Sequence, residues 1–373
     1  MRAFSISFLV LTDKTGSHFP ASCSRELAIR HGAPALQTAL AASLILFVAA
    51  AISAVLCVLL RPLLVRYALA RPNARSSHRV PTPQGGGIAV LVGAFAALCL
   101  VSPLASAAMA GDGLVFVIVA ALALAVVGAW DDIRPLPAAL RLGLQALCVA
   151  VVIVYAAPEA RVLPELPLGV ERCLALLAGV WFVNLTNFMD GIDWITVAGF
   201  VPLAGALVLA GSTGLIDPET GLLAAALCGG LIGFAPFNRP TARLFLGDVG
   251  SLPIGLVTAY LLYRLAGTGA LTAALILPLY HVADASITLL RRLARREKVW
   301  EAHRSHFYQQ ATANGWSVIA VVTQVALLNV VLAVLAAVSI LVPAMDAQIG
   351  CLAVAALLTG LLLRRFSRPA MAS

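Results

Sequence analysis

Charged side chains are scarce in this chain. Asp, Glu, Lys and Arg make up 11% of its 373 residues, whereas 61% of the residues are hydrophobic, and the mean hydropathy is +0.98. So few charges could not cover the apolar surface of a water-soluble protein of this length. Low-complexity segments and repeats of fixed period are also absent, which excludes a repeat array. The composition therefore predicts a polytopic helical membrane protein.

Paired cysteine motifs are absent as well. The seven cysteines are scattered, and none of them belongs to a C-x-x-C pair. Most of them fall within long apolar runs, where cysteine behaves as a small apolar residue. We therefore interpret them as buried packing residues rather than as disulfide partners or metal ligands.

Apolar runs about as long as the roughly 20 residues that cross a bilayer recur along the chain. They predict an all-α integral membrane protein, a polytopic bundle of about eleven (ten or eleven) transmembrane helices within residues 38–363. Residues 1–37 are predicted as an N-terminal tail, disordered or read from a start codon assigned too far upstream, and residues 364–373 as a short cytoplasmic tail. The predicted spans are 38–60, 86–108, 113–130, 142–158, 170–186, 195–212, 220–237, 249–266, 270–289, 316–342 and 348–363.

Basic residues indicate on which side of the membrane each loop lies. Most of the 25 Lys and Arg residues fall in the loops after odd-numbered spans and in the C-terminal tail, whereas Arg161, Arg172 and Arg264 fall on the opposite side. Because cytoplasmic loops carry the excess of Lys and Arg, we expect the first set to be cytoplasmic. The pI near 9.5 is then explained by anionic membrane lipid or a phosphorylated substrate, and no nucleic acid is expected as a partner.

Acidic residues gather at predicted span ends on this cytoplasmic side, in three separate loops. They are Asp131, Asp132, Asp190, Asp193 and Asp248. Any one loop alone is more typical of a turn or a helix cap. Together, carboxylates at this depth repel one another unless a cation lies between them, and oxygen ligands without cysteine favour Mg²⁺, for which Mn²⁺ can substitute. The pattern therefore predicts a magnesium site and a phosphate-bearing substrate.

The stretch NLTNFMDGID spaces Asn184, Asn187, Asp190 and Asp193 at intervals of three residues. On a regular α-helix such a series drifts around the axis. A helix that unwinds at Gly191 is the arrangement that could direct all four side chains at one cavity. The two asparagines would then supply amide groups for sugar or phosphate oxygens.

Two further stretches carry candidate ligands. In RPNARSSHRVPTPQGGGIAV, His78 and Arg79 supply charge, and the glycines around Gly86 allow backbone N–H groups to approach an anion, although such turns also occur without a ligand. In HRSHFYQQ, His303 and His306 share a helical face. Zinc binding there needs ligands that no nearby cysteine supplies, so phosphate binding, proton handling and a solvated loop are the alternatives.

A polar pair lies near the end of the ninth span. His281 and Asp284 are costly inside a membrane unless they face the interior of the bundle. They either belong to a functional interior or form a packing hydrogen bond with a neighbouring helix.

Taken in order, five stretches resemble the polyprenyl-phosphate N-acetylhexosamine-1-phosphate transferase family, glycosyltransferase family 4. They are SHRVPTPQGGG, DDIRPLPAALRLGLQ, NLTNFMDGID, FLGDVGSLPIG and HRSHFYQQ, within residues 76–310. The family includes enzymes that start O-antigen and enterobacterial common antigen synthesis and the peptidoglycan phospho-N-acetylmuramoyl-pentapeptide transferase. The resemblance implies a cytoplasmic-facing Mg²⁺ site in the bacterial inner membrane. It further implies transfer of a sugar 1-phosphate from a UDP-N-acetylhexosamine to undecaprenyl phosphate, with release of UMP.

The resemblance also implies roles for particular residues. Asp248 is the principal Mg²⁺ ligand, with Asn187 beside it, and Asp131 and Asp132 lie near the lipid phosphate. The catalytic set is Asp131, Asp132, Asp190, Asp193, His303 and His306. The substrate-binding set is His78, Arg79, Gly86, Arg141, Asn184 and Asn187.

The chain departs from the family pattern at three points. Arg141 stands where lysine is common, which keeps the charge but changes its geometry. Trp194 stands where glycine usually follows DGID, which puts the backbone conformation there in question. The histidines are not the adjacent pair of the peptidoglycan enzyme, and this favours the O-antigen-type branch.

Two other classes of protein share parts of this pattern. A secondary transporter carries its acids near the bilayer midplane on broken helices, whereas here they lie at one interface. A structural scaffold does not require carboxylates from three loops. The transferase is therefore favoured. Its sugar is left open between N-acetylglucosamine and a deoxyhexosamine such as N-acetylfucosamine or N-acetylquinovosamine, and a homodimer is one option for its assembly.

Overall fold

The computed structural model describes residues 21–70, 81–101, 113–298 and 303–370, with side chains of the first helix from Leu36 onward. These residues form thirteen α-helices and one short antiparallel strand pair, β1 (Leu69–Ala70) with β2 (Thr82–Pro83). The helices are α1 (Ala21–Tyr67), α2 (Gly86–Val101), α3 (Gly113–Ile133), α4 (Ala138–Val151, continued by a π-helical turn Val152–Ala156), α5 (Leu168–Phe188), α6 (Ile195–Ser212), α7 (Pro218–Phe234), α8 (Asp248–Gly267), α9 (Leu271–Ile276), α10 (Leu279–Ala294), α11 (Phe307–Ala313), α12 (Val318–Leu341) and α13 (Met345–Phe366).

The prediction of an all-α polytopic membrane protein is confirmed. Eight helices are long and apolar enough to cross a membrane: α1, α3, α4 with its π-helical turn, α5, α6, α8, α12 and α13. Helices α2 and α7 are also apolar but shorter, and residues 102–112 after α2 lie outside the described part. Large apolar side chains face outward, as Phe47 (71% exposed) and Leu341 (79% exposed) show, and such a surface is suited to lipid.

The ninth predicted span, 270–289, is wrong as a single helix. The chain forms two helices there, α9 and α10, and breaks between them at Pro278. Proline lacks a backbone N–H and its ring clashes with the preceding turn, so it commonly ends or kinks a helix. Helix α10 also buries the polar residues His281 and Asp284, which suits a helix packed inside the protein better than one facing lipid.

The other predicted spans each overlap one helix; the span 195–212 agrees with α6 at both ends, and the others are shifted at one or both ends. Helix α1 begins at Ala21, inside the segment predicted as a tail, and residues 1–20 lie outside the described part of the chain. The short helix α11 was not predicted, because its seven residues fall in a polar stretch without an apolar run.

Helix α8 lies at the centre of the bundle. In its most apolar stretch 83% of the residues are buried, and it packs against α2, α3, α5 and α7. Around it, α7 packs against α1, α2 and α6, and Ser53 Oγ of α1 donates a hydrogen bond to the Gly230 carbonyl of α7 (2.8 Å). Helices in lipid associate through close packing and such hydrogen bonds. Because α8 begins at Asp248, this residue lies in the middle of one end of the bundle.

The cysteines with described side chains are unpaired. Cys57, Cys148, Cys228 and Cys351 are buried, whereas Cys99 and Cys173 are exposed. The interpretation as buried packing residues is therefore confirmed for the first four and wrong for the last two, which lie on outward faces of α2 and α5.

Candidate active site

Asp132 binds the start of the central helix. It lies in the last turn of α3, and its carboxylate accepts hydrogen bonds from the backbone N–H groups of Asp248 (3.2 Å) and Val249 (3.3 Å). These N–H groups have no partner within α8, since they belong to its first turn, and the helix dipole favours negative charge there. One turn earlier on α3, a Cβ at Gly128 would overlap the Asp248 backbone. Glycine thus allows α3 to bring its acidic end to Asp248.

Asn187 connects the end of α5 to the first turn of α8. It lies in the last turn of α5, and its Nδ2 donates to Asp248 Oδ1 (2.6 Å) and to Ser251 Oγ (2.9 Å). Side chains from α3, α5 and α8 therefore meet at one end of the bundle, as the three acidic loops predicted. The amide of Asn187 donates a hydrogen bond to the carboxylate of Asp248, and this bond orients the Asp248 side chain. Its role as a second metal ligand stays a prediction.

Asp131 is paired with the arginine of α4. Arg141 Nη1 lies 2.6 Å from Asp131 Oδ2, and the backbone N–H of Leu136 donates to Asp131 Oδ1 (2.6 Å). The Asp131 side chain is only 7% exposed, whereas that of Arg141 is 25% exposed. A guanidinium carries five N–H donors in a planar fork. The pair with Asp131 therefore leaves Arg141 with donors for a second anion.

Asp190 lies in the loop between α5 and α6, and Thr196 Oγ1 donates a hydrogen bond to its Oδ1. Burial raises the pKa of the Asp190 carboxyl to about 8; the hydrogen bond from Thr196 opposes this rise, and the charges of Asp248, Asp132 and Asp193 add to it. Asp190 is thus close enough to the other carboxylates to be repelled by them. A cation placed among them would relieve this repulsion.

Asn184 does not face the carboxylates. Its Nδ2 donates to Gln145 Oε1 on α4 (2.6 Å) and to the Val180 carbonyl within α5 (2.8 Å). The expectation that all four polar residues of NLTNFMDGID are directed at one cavity is wrong. Helix α5 continues to Phe188, and a step of three residues on a helix changes the direction of the side chain.

Asp193 anchors the loop that leads into α8. Its side chain is buried and its Oδ2 accepts a hydrogen bond from the Ala242 N–H (2.9 Å). The next residue, Trp194, has a φ of 63°, in the left-handed region that favours glycine. Its backbone N–H donates to Asn238 Oδ1 (2.8 Å) and its Nε1 to the Ala235 carbonyl (2.6 Å). The chain thus keeps a conformation suited to glycine, and the indole fastens this loop to the end of α7.

The glycine triplet serves to dock the chain. The N–H groups of Gly86 and its two glycine neighbours donate to the carbonyls of Phe245 and Leu246, at 2.8–3.1 Å. The prediction that these groups bind an anion is therefore wrong, because each already has a backbone partner. The docking aligns the start of α2 with the segment that leads into α8. His78 and Arg79, predicted in the same stretch, lie outside the described residues.

Asp284 holds the histidine segment. The side chain of Asp284 is fully buried and accepts hydrogen bonds from the N–H groups of Phe307 (3.0 Å) and Tyr308 (3.2 Å), the first residues of α11. It also lies 3.2 Å from His306 Nδ1. Of the two interpretations left open for this acid, the packing hydrogen bond describes these contacts. Through it, however, Asp284 fixes the orientation of His306.

The two histidines lie together beside the end of α5. Their ring centroids are 4.8 Å apart, and the His306 ring stacks at 6.3 Å from that of Phe188. Tyr308 OH donates to the Phe188 carbonyl (2.9 Å). Burial lowers the pKa of His303 to about 4, and the neighbouring His306 adds to this effect. His303 is therefore neutral at pH 7 and can accept a hydrogen bond rather than contribute a fixed positive charge.

The donor set fits a partial magnesium site. Among the described residues, no group of three or more His, Cys, Asp or Glu side chains is placed to hold a metal ion by itself. Mg²⁺ does not require such a cage, because it is commonly held by one or two carboxylates and completed by water and substrate phosphates. Asp248, oriented by Asn187 and close to Asp190, provides carboxylate oxygens of this kind.

An apolar groove lies along α5. Its volume is about 370 Å³, and its lining includes Val149, Glu171, Phe182, Leu185 and Pro278. Glu171 lies at the start of α5 and Leu185 near its end, close to Asn187. The groove therefore extends through most of the membrane-crossing length of α5 towards the carboxylates.

Fold and site together define a polytopic membrane protein with an acidic, arginine-bearing site at one end of its central helix. The sequence model of the family described as Glycosyl transferase family 4 matches residues 114–266, a segment that contains all five of the aspartates. This similarity supports the family that the motifs predicted, the polyprenyl-phosphate N-acetylhexosamine-1-phosphate transferases. The two histidines lie outside the matched segment.

Curated relatives agree with this assignment. The chain is 29% identical over 213 residues to decaprenyl-phosphate N-acetylglucosaminephosphotransferase of Mycobacterium leprae, which covers 52% of this chain and 53% of that protein. It is 31% identical over 210 residues to phospho-N-acetylmuramoyl-pentapeptide-transferase of Desulforudis audaxviator, covering 48% and 62%. The protein of the same name from Mycobacterium bovis is 29% identical over 268 residues, covering 57% and 74%. The chain thus spans about half the length of the first of these relatives.

Proposed function

We propose that this protein transfers an N-acetylhexosamine 1-phosphate from a UDP-sugar to undecaprenyl phosphate, releasing UMP. The observation that carries the proposal is the meeting of Asp132, Asn187 and Asp248 from three different helices, beside the Asp131–Arg141 pair. A water-soluble nucleotide sugar and a lipid phosphate can meet only at headgroup depth. The site lies at the ends of membrane-crossing helices, which is that depth.

In this proposal the polar side chains of the site bind or neutralise the negative charge of the substrates, or hold the groups that do so in place. Asp248 and Asp190 hold Mg²⁺, which when bound supplies charge neutralisation for the diphosphate. Arg141 binds a phosphate with the donors that Asp131 leaves free. Asp132 keeps the acidic end of α3 at the start of α8, and His303 and His306 border the nucleotide side of the site.

The lipid chain is assigned to the apolar groove along α5. The groove is lined almost entirely by apolar side chains, and its lining on α5 extends as far as Leu185, two residues before Asn187. A polyprenyl chain lying in it would present its phosphate to Arg141. This phosphate has a second pKa of about 6, so it is already largely ionised at pH 7. Orientation and charge neutralisation are then more important than a general base.

The substrate and pathway are proposed from relatives and motifs. The name of the Mycobacterium leprae relative supports N-acetylglucosamine as the first sugar to test, with N-acetylfucosamine and N-acetylquinovosamine as alternatives. The spacing of His303 and His306 supports a role in initiating O-antigen or another surface polysaccharide, rather than the peptidoglycan reaction.

The activity is tested by assaying purified protein with a panel of UDP-sugars, Mg²⁺ and undecaprenyl phosphate. We expect UMP and a lipid-linked sugar diphosphate with one of the UDP-N-acetylhexosamines, and neither product when the lipid or Mg²⁺ is left out. Mn²⁺ should restore part of the activity. Absence of a lipid-linked product with every sugar of the panel would overturn the proposal.

The site is proposed to face the cytoplasm from the inner membrane. In a variant without native cysteines, Arg295→Cys at the end of α10 should react with a membrane-impermeant maleimide only after the cytoplasmic side is opened, because the basic loops are cytoplasmic. Glu165→Cys, in the exposed loop before α5, is the matched control and should react in intact cells. The opposite pattern would place the acids on the outer side, where no UDP-sugar is available.

A further inference from the structure

We propose that Gln145 of α4 binds the phosphate of the lipid substrate through its amide Nε2. The proposal rests on the transferase function and adds a substrate-binding residue to it. In the sequence, Gln145 is the last residue of the stretch DDIRPLPAALRLGLQ.

The position of Gln145 joins the charged site to the groove. On α4 it lies four residues after Arg141 and four before Val149, so the three residues share one helical face. Arg141 pairs with Asp131 at the charged end, and Val149 lines the apolar groove. Gln145 therefore lies on this face of α4 between the charged end and the first α4 residue of the groove.

The amide Nε2 of Gln145 is a hydrogen-bond donor without an acceptor among the described residues. The residue is fully buried, and its Oε1 accepts a hydrogen bond from Asn184 Nδ2 (2.6 Å). Its Nε2 has no hydrogen-bond partner within the described part of the chain. An amide buried without a partner is costly and rare in native structures. A ligand that accepts a hydrogen bond from Nε2 would account for it.

A phosphate oxygen is the acceptor that matches the hydrogen-bond donors around Gln145. The unused group is a donor, the neighbouring turn of α4 carries a guanidinium with free donors, and Asn184 fixes the orientation of the amide. Donors that converge in this way favour an anionic oxygen over a cation or an apolar group. The groove beyond Val149 is apolar, which selects a phosphate attached to a lipid over the diphosphate of a nucleotide.

Two variants separate binding from packing. Gln145→Met removes the donor with little change in volume. Gln145→Glu keeps an oxygen to accept the bond from Asn184 but replaces the donor with a group that repels phosphate. We expect the KM for undecaprenyl phosphate to rise about 10- to 100-fold in Gln145→Met, the range for a lost hydrogen bond to a charged group, and further in Gln145→Glu. The KM for the UDP-sugar and the kcat at saturating lipid should change less than about twofold.

Asn329→Leu is the matched control. Asn329 is a buried amide in the middle of α12 whose Oδ1 has no partner within the described residues, and it is remote from α4. Its replacement should leave both KM values unchanged. A rise in both KM values or a loss of kcat in Gln145→Met and Gln145→Glu alike would show a packing role and overturn the proposal.

Direct binding distinguishes this inference from the function on which it depends. Binding of undecaprenyl phosphate, and its competition by inorganic phosphate, can be measured on the purified protein by native mass spectrometry. Weaker lipid binding in Gln145→Met supports the inference even without turnover. Unchanged lipid binding in that variant, with or without loss of inorganic phosphate binding, overturns it. If wild-type protein binds no lipid at all, it is the proposed function that fails.

Discussion

The Asp248→Asn variant is expected to fold normally, but its turnover rate should be at least about 10²–10³-fold lower than that of wild type. A loss of this size is seen when a group that stabilises transition-state charge is removed. Asparagine keeps the shape and can still interact with Asn187, but it removes the negative charge that would bind Mg²⁺. The variant also relieves repulsion among Asp248, Asp132 and Asp190. Its thermal stability should therefore be equal to or higher than that of wild type.

The measurement is the Mg²⁺ dependence of product formation together with a melting curve. Chelation of Mg²⁺ should abolish turnover by wild type in the same way. Asp217→Asn is the matched control, because Asp217 also lies at a helix start, as the N-cap of α7, but it pairs there with Arg264 far from the site. Its asparagine variant should retain activity, since asparagine is also a good N-cap. Full activity in Asp248→Asn would mean that this acid is only a helix-terminal residue.

The helical bundle and the approximate place of the site follow from the sequence. Long apolar runs predict spans because a membrane leaves few alternatives for the backbone, and all but one of the predicted spans overlap a single helix. The exception is the span broken at Pro278. The proline was visible, but packed membrane helices also tolerate proline, and Pro202 and Pro253 lie within continuous helices. Composition alone does not separate these cases.

The partners of individual polar groups could not be read from the sequence. The backbone N–H groups around Gly86 were expected to bind an anion. They instead donate hydrogen bonds to the carbonyls of Phe245 and Leu246, which are distant along the chain. Asn184 was expected to share one cavity with Asn187, Asp190 and Asp193, yet its amide donates a hydrogen bond to Gln145 on the neighbouring helix. Each outcome depends on which segments pack together. Spacing within one segment gives the direction of a side chain only when the helix boundaries are known.

Trp194 occupies a position where the family usually has glycine, and hydrogen bonds compensate for this difference. Glycine normally meets the need for a positive φ, whereas a bulky residue is strained there. Here two hydrogen bonds, to Asn238 and Ala235, hold the tryptophan in this conformation. The sequence identified the position as unusual, but the compensating partners come from the end of α7 and the loop after it.

The structure also bears on whether an aspartate attacks the substrate. Asp131 is held by Arg141 and a backbone N–H, and Asp132 accepts two N–H groups of α8. Carboxylates engaged in this way are fixed in position and less free to attack phosphorus. The lipid phosphate is in contrast an anion at pH 7 without help. For the proposed reaction, these contacts favour direct attack by the lipid phosphate, in which its oxygen would form the bond to the β-phosphorus as the bond to UMP breaks.

Direct attack predicts graded losses and no reaction without lipid. Asn variants of Asp131, Asp132, Asp190 and Asp193 should each be slowed by a different factor. Asp193→Asn should be slowed least, because asparagine can still accept the hydrogen bond from Ala242. Wild type freed of lipid and mixed with UDP-sugar and Mg²⁺ should release no UMP. A covalent route would instead give one UMP per site before any lipid is added and one Asp variant that is inactive. A stoichiometric burst of UMP in lipid-free wild type, lost in a single Asp variant, would therefore establish an aspartyl nucleophile and exclude direct attack.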